Sequence, residues 1–168
     1  AYLENNRIKY TDGVVVRDLL DIREMRLFGN HNYENVMAAI CLTINAGVPV
    51  DIIVDTIKTF KGVEHRIEYV REKDGVVYYN DSKGTNPDAA IKGIQAMNRP
   101  TLLIAGGYDK GSDYREWIRS FEGKVKWFVL EGKTKFDIRD AAVSVGFPEE
   151  KIVLLEDMNE AMDFCRDH

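Results

Sequence analysis

Apolar and polar positions change period several times along the chain, and each change marks an element. Before Asn32 the apolar residues come in short strand-like stretches such as Gly13-Val14-Val15-Val16, with no helix among them, as at the edge of a sheet. From Asn32 the period becomes helical, with Val36, Met37, Ile40 and Ile44 on one stripe that ends at Gly47. Val48-Pro49 breaks it, and Ile52, Ile53, Ile57 and Phe60 mark a second helix, so a helical hairpin is expected. Gly62-Val63-Glu64-His65-Arg66 is irregular; after it, Ile67 to Glu72 and Val76 to Asn80 flank Lys73-Asp74-Gly75, a sequence suited to a β-hairpin turn. Strands predicted at 76–80, 101–105, 125–130 and 151–155 then alternate with helices at 87–97, 113–121, 135–145 and 158–168. Short βα connections of this kind imply an α/β, Rossmann-like domain with a mostly parallel sheet and helices on its faces. A boundary near His65 divides the chain into residues 1–64 and 65–168.

In such a sheet, ligands bind at the carboxyl ends of the strands. The residues there are Asp81-Ser82-Lys83, Gly106-Gly107-Tyr108-Asp109-Lys110-Gly111, Glu131-Gly132-Lys133 and Glu156-Asp157. Two of these loops set a lysine beside small or hydroxyl residues, which suits a carboxylate or phosphate. The first is the most informative. Val76-Val77-Tyr78-Tyr79 suits a buried strand, Asn86 can cap the following helix, Pro87 fits its first turn, and Asp88 favours the positive end of the helix dipole. Ala89, Ala90, Ile91, Ile94 and Met97 then supply an apolar helix face. An ordinary polar βα turn with a good cap explains the same residues.

The glycine-rich loop at 106–111 is neither G-x-x-x-x-G-K-[ST] nor G-x-G-x-x-G, and a complete Walker A motif is absent from the sequence. A glycine turn with a solvated lysine is the alternative there. Gly29-Asn30-His31-Asn32-Tyr33-Glu34-Asn35 opens the first helix with amides and an imidazole, groups able to read the polar edges of a base or simply to cap the helix. Glu64-His65-Arg66 joins a potential acid, a switchable imidazole and a bidentate anion binder at the proposed hinge.

At 168 residues, one or two domains are expected. The 23 Lys plus Arg against 28 Asp plus Glu leave a net charge of -5 without a basic cluster, so nucleic acid is not an expected partner. No apolar run is long enough to cross a bilayer, and the first residues lack the apolar core of a signal peptide; a cytoplasmic protein with no membrane partner is expected. Cys41 and Cys165 are too few and too scattered for a disulfide framework, and three His without a Cys/His cluster argue against a metal site. Position 1 is Ala, and the closing residues 160–168 stop inside a helical pattern, so the chain reads as a piece of something longer.

Four ordered motifs carry a resemblance. Gly29-x-His31-Asn32-x-x-Asn35, Gly62-x-x-His65-Arg66-x-Glu68, Asn80-Asp81-Ser82-Lys83-x-Thr85-Asn86 and Gly106-Gly107-x-Asp109-Lys110-Gly111 together resemble the Mur ligases over nearly the whole chain. The Asp-Ser-Lys-x-Thr-Asn run is the discriminating part and resembles the members that add D-glutamate; the diaminopimelate- or lysine-adding relatives carry Asp-Asn-Pro-Arg, which this chain lacks. Gly84 stands where the family often has Ala, a change that can loosen the loop.

The resemblance implies a three-domain enzyme. Residues 1–64 would be the strand and helical-hairpin end of a central ATP-binding domain, and 65–168 a C-terminal Rossmann-like amino-acid-binding domain without its last strand and helix. The implied reaction belongs to peptidoglycan precursor synthesis: ATP phosphorylates the terminal carboxylate of UDP-N-acetylmuramoyl-L-alanine, the D-glutamate amine attacks the acyl phosphate, and phosphate leaves. ATP and Mg2+ are the implied cofactors, with the ATP phosphate loop, the magnesium ligands and the UDP-binding domain expected ahead of Ala1. By matching position, Asn32 and Asn35 would lie near the adenine, Asp81 would accept from the ribose hydroxyls, and Arg66 with His65 would face the phosphates. Lys83, Thr85 and Lys110 would surround D-glutamate, Lys83 joining His65 and Arg66 in the catalytic group. The whole enzyme is expected to be a monomer and this polypeptide by itself inactive. Two alternatives stand beside it: a stand-alone, non-catalytic Rossmann-like module that binds a nucleotide or other ligand, and a ligase that adds glutamate to a different acceptor such as folate.

Overall fold

Side-chain chemistry decides where the first strands stop. The computed structural model describes residues 1–108 and 111–168, which divide into two compact units, Ala1–Ser82 and Lys83–His168. In the first, β1 (Tyr2–Glu4), β2 (Arg7–Thr11) and β3 (Val16–Asp21) form an antiparallel sheet in that order. The strand expected at Gly13–Val16 is instead the bend between β2 and β3, and only Val16 enters β3. The Thr11 hydroxyl accepts the Gly13 N–H at 3.0 Å, and the Asp12 carboxylate accepts those of Val14 and Val15, each at 2.9 Å. Such local bonds give the backbone an alternative to a strand ladder, and Val14 is left 91% exposed.

After β3 a capping box turns the chain. Asp21 accepts the Arg23 N–H at 2.9 Å while Glu24 accepts the Asp21 N–H at 3.0 Å, fixing the 3-10 turn Ile22–Glu24. The helical hairpin follows as α1 (Asn30–Asn45) and α2 (Val50–Thr59). The predicted stripe of α1 faces inward: Val36 and Ile40 are buried with Ile8, Leu20, Met25 and Ile53, and Met37 and Ile44 pack against them. On α2 only Ile53 is buried; Ile52, and Phe60 at the C-cap, which also marked this helix, are exposed.

The second hairpin is β4 (Glu68–Lys73) with β5 (Val76–Asn80), paired from Glu68↔Asn80 to Lys73↔Val76. Its turn residues Asp74 and Gly75 have φ of 53° and 79°, the two positive values that a tight hairpin turn matching strand twist requires. The strand at 76–80, expected to open the parallel series, therefore lies with β4 in a sheet of its own. A ring contact of 5.2 Å between Phe28 and Tyr79 ties this hairpin to the first unit.

In the second unit the alternation appears as expected: α3 (Pro87–Ala96), β6 (Thr101–Gly107), α4 (Arg115–Arg119), β7 (Val125–Gly132), α5 (Lys135–Ser144), β8 (Ile152–Leu154) and α6 (Met158–Asp167). The sheet is parallel in the order β6-β7-β8, with Ala105↔Leu130 and Leu130↔Leu154 in register. Phe128 and Leu130 are fully buried, among Ile94, Trp117, Ile118, Phe121, Ile138 and Ala142. Phe121 and Phe128 meet edge to face at 5.1 Å, and Trp117 meets both at 5.5 Å, pairings that add about 0.5–1.5 kcal/mol each beyond area burial.

Candidate functional site

In the first unit three segments bring polar groups to one place: the start of α1, the turn before β4, and the end of β5. Gly29 is the N-cap of α1 with a φ of 93° and no side-chain capping bond, so the amides of the first turn do not serve as that cap. Asn32 instead donates from Nδ2 to the Phe28 carbonyl at 2.8 Å. Asn35 lies three residues on, exposed, on the same side of the helix as Asn32.

The turn at 62–67 carries His65 and Arg66 on an unusual backbone. His65 and Ile67 have φ of 65° and 44°, and a β-branched residue there is a genuine outlier. Such strain costs on the order of 1–3 kcal/mol and persists only where the surroundings over-determine it. Three acceptors do so: Glu68 Oε2 takes the His65 N–H at 2.8 Å, the Val63 carbonyl takes that of Arg66 at 3.2 Å, and Asp81 Oδ1 takes that of Ile67 at 3.0 Å. His65 Nδ1 lies 2.9 Å from the Asn80 amide nitrogen and 3.6 Å from Glu68 Oε2.

Asp81 is half-buried, and burial pushes its carboxyl above the usual aspartate range; the Ile67 N–H, the Arg66 guanidinium and the His31 imidazole act in the opposite direction. Its second oxygen accepts no hydrogen bond among the described residues. The Arg66 guanidinium is exposed and makes no ion pair within 4.0 Å among the described residues. The structure thus groups His65, Arg66 and Asp81 around one short turn and adds Glu68, Asn80 and His31 to them.

In the second unit, the loop 83–86 runs into α3 as its chemistry dictates. Asn86 Oδ1 accepts the Ala89 N–H at 2.9 Å, Pro87 takes the first helical position, and Asp88 lies in the first turn. Lys83 and Thr85 are exposed ahead of this cap and engage no partner among the described residues. Lys110, expected beside them in function, lies outside the described residues.

The end of β7, the start of α5 and the residues after β8 form an open groove lined by Gly132, Lys133, Lys135, Phe136 and Glu156. Lys133 Nζ meets the Tyr108 hydroxyl at 3.0 Å and lies 4.4 Å from the centre of its ring. Lys135 is buried, its ammonium donating to Glu156 at 2.6 Å and to the Leu155 carbonyl at 3.1 Å. Sequence reading passed over Lys135, although Lys135, Ile138 and Ala142 share one helical stripe and all three are buried. At Gly106, with a φ of 150°, an added Cβ would fall 1.8 Å from the Glu131 carbonyl oxygen, so only glycine lets β6 and β7 approach this closely.

Along the chain, a turn that carries an arginine near a half-buried carboxylate precedes a parallel α/β unit with lysines and glycines at its strand ends. The chain belongs to the Mur ligase family: the family described as "Mur ligase, glutamate ligase domain" matches residues 65–167. Among curated relatives, it is 53% identical over 98% of its length to a UDP-N-acetylmuramoylalanine--D-glutamate ligase of Lachnospira eligens, of which it covers 36%. It is 51% identical over 99% of its length to the protein of the same name from Lachnoclostridium phytofermentans, again covering 36%. The chain therefore spans about a third of the length of the curated relatives it matches. The fold is shared with MurF from Acinetobacter baumannii, at a TM-score of 0.65 and 18% identity over 96% of this chain and 35% of that one. Among the described residues, no helix is long and apolar enough to cross a membrane.

Proposed function

We propose that the protein containing this chain is an ATP-dependent ligase that joins D-glutamate to UDP-N-acetylmuramoyl-L-alanine, working as a cytoplasmic monomer in the synthesis of peptidoglycan precursors. The observation that carries this reading is 53% identity, over 98% of the chain, to a relative named for that reaction. A non-catalytic binding module is not favoured, because such relatives are named as ligases. ATP, held with Mg2+, supplies the phosphoryl group that turns an unreactive carboxylate into an acyl donor.

The residues present fit a bound nucleotide. Asp81 offers an unengaged carboxylate oxygen to a ribose hydroxyl, and Arg66 presents an exposed guanidinium whose planar fork suits phosphate oxygens. His65 accompanies Arg66 at the phosphates, and Asn32 and Asn35 supply donors and acceptors for the adenine edge. Lys83, Thr85 and Lys110 take the carboxylates of D-glutamate and orient its amine, the ammonium groups offsetting negative charge that gathers as the anionic substrates meet.

The test is ligation by the full-length protein, measured as incorporation of labelled D-glutamate into UDP-N-acetylmuramoyl-L-alanine with ATP. L-glutamate, lysine and diaminopimelate serve as competing amino acids, and a folate as competing acceptor. D-glutamate incorporation with release of ADP is expected; preference for another amino acid or acceptor would refute the assignment.

A further inference from the structure

The turn that carries Arg66 is held from outside itself. His65, exposed, and Ile67, half-buried, both sit at positive φ, a backbone conformation that their own side chains do not favour. Two carboxylates reach the backbone of the turn, one from each side of Arg66. Glu68 Oε2 accepts the His65 N–H at 2.8 Å, and Asp81 Oδ1, fourteen residues downstream of Ile67, accepts the Ile67 N–H at 3.0 Å. The guanidinium has no ion-pair partner within 4.0 Å among the described residues, so its aim depends on the backbone beneath it.

We propose that Glu68 and Asp81 are positioning residues that clasp the main chain on both sides of Arg66, and that Asp81 links this clasp to the nucleotide by giving one oxygen to Ile67 and the other to a ribose hydroxyl. The ribose half of the inference rests on the ligase reading above; the clasp does not. Ribose and phosphate contacts then share one rigid segment, and the nucleotide meets an arginine already aimed.

The experiment compares Glu68→Ala, Glu68→Gln, Asp81→Ala and Asp81→Asn in the full-length protein. Without nucleotide, amide exchange at His65 should accelerate about tenfold or more in Glu68→Ala, and exchange at Ile67 likewise in Asp81→Ala. The Gln and Asn variants should stay within about threefold of wild type, since their carbonyls still accept. Unchanged exchange in the Ala variants overturns the clasp. In ligation assays Glu68→Ala should lower kcat about tenfold while KM for ATP moves less than about threefold, and Glu68→Gln should restore most of the loss. Equal damage by Ala and Gln, or an unchanged kcat, refutes the positioning role. Asp81→Ala with ATP should be impaired more than wild type with 2′,3′-dideoxy-ATP; equal deficits reduce Asp81 to a ribose acceptor. A full-length protein that does not ligate D-glutamate refutes the reading of function, while the exchange measurements still decide the clasp.

Discussion

Two aspartates of the first unit respond to pH in opposite senses. Burial lifts the Asp81 carboxyl, so the folded chain holds that proton more tightly than the unfolded one. The stability linked to Asp81 is therefore present below the ordinary aspartate value and lost as pH rises through the raised one. Asp21 is the reverse: the Arg23 guanidinium and the Arg23 N–H hold its carboxyl well below the usual range. Its contribution is present above the ordinary value and is lost as pH falls toward the depressed one. Thermal melts between about pH 3 and about pH 7 should show Asp81→Asn gaining on wild type as pH rises and Asp21→Asn falling behind. A difference for Asp81→Asn that stays flat with pH would remove burial as the cause. At this scale the sequence displayed the groups but not their settings. Asp81, Arg66 and Lys83 could be singled out because charge beside a strand end is visible in one dimension. The part played by Glu68 could not, because its bond goes to a main-chain N–H whose φ nothing local foretells. Lys135 was missed because its ammonium's two partners, the Leu155 carbonyl and Glu156, lie just past β8, twenty and twenty-one residues on.

Elements with strong local signals were legible, and those with competing signals were not. The start of α3 combines cap, proline and acidic first turn, and it formed as read. Asn86→Ala should cost about 1 kcal/mol by removing the cap, whereas Asn86→Asp should stay close to wild type, as read by chemical denaturation. An equal loss for both would show that the cap is not what Asn86 supplies. Gly13–Val16 misled because β-branched residues favour strands in general, while Thr11 and Asp12 satisfied this particular backbone first. The strand at 76–80 fitted both a hairpin and the parallel series; the Asp74-Gly75 turn settled it as the partner of β4. The two divisions of the chain also differ, since the family match begins at residue 65 whereas compactness divides it after Ser82. The β4–β5 hairpin lies in that interval and is tied through Tyr79 to Phe28.

For the molecule as a whole, the ligase reading makes a crossed kinetic pattern the sharpest expectation. In the full-length protein Asp81→Ala should raise KM for ATP about tenfold or more with little change for D-glutamate, and Lys110→Ala should do the converse. An unchanged KM for D-glutamate would remove Lys110 from that role. Stability of the second unit rests on the aromatic cluster, so Phe128→Ala should cost about 3–5 kcal/mol and open the amides of β6 to β8 to exchange. A cost below about 1 kcal/mol would mean that the cluster is dispensable. The seam at Gly106 carries a different lesson. Because main chain rests on main chain there, the spacing between the ends of β6 and β7 is set by a ruler of peptide atoms and not by side-chain size. Tyr108 and Lys133, just past those ends, can therefore be exchanged without recalibrating the spacing of the strands beneath them.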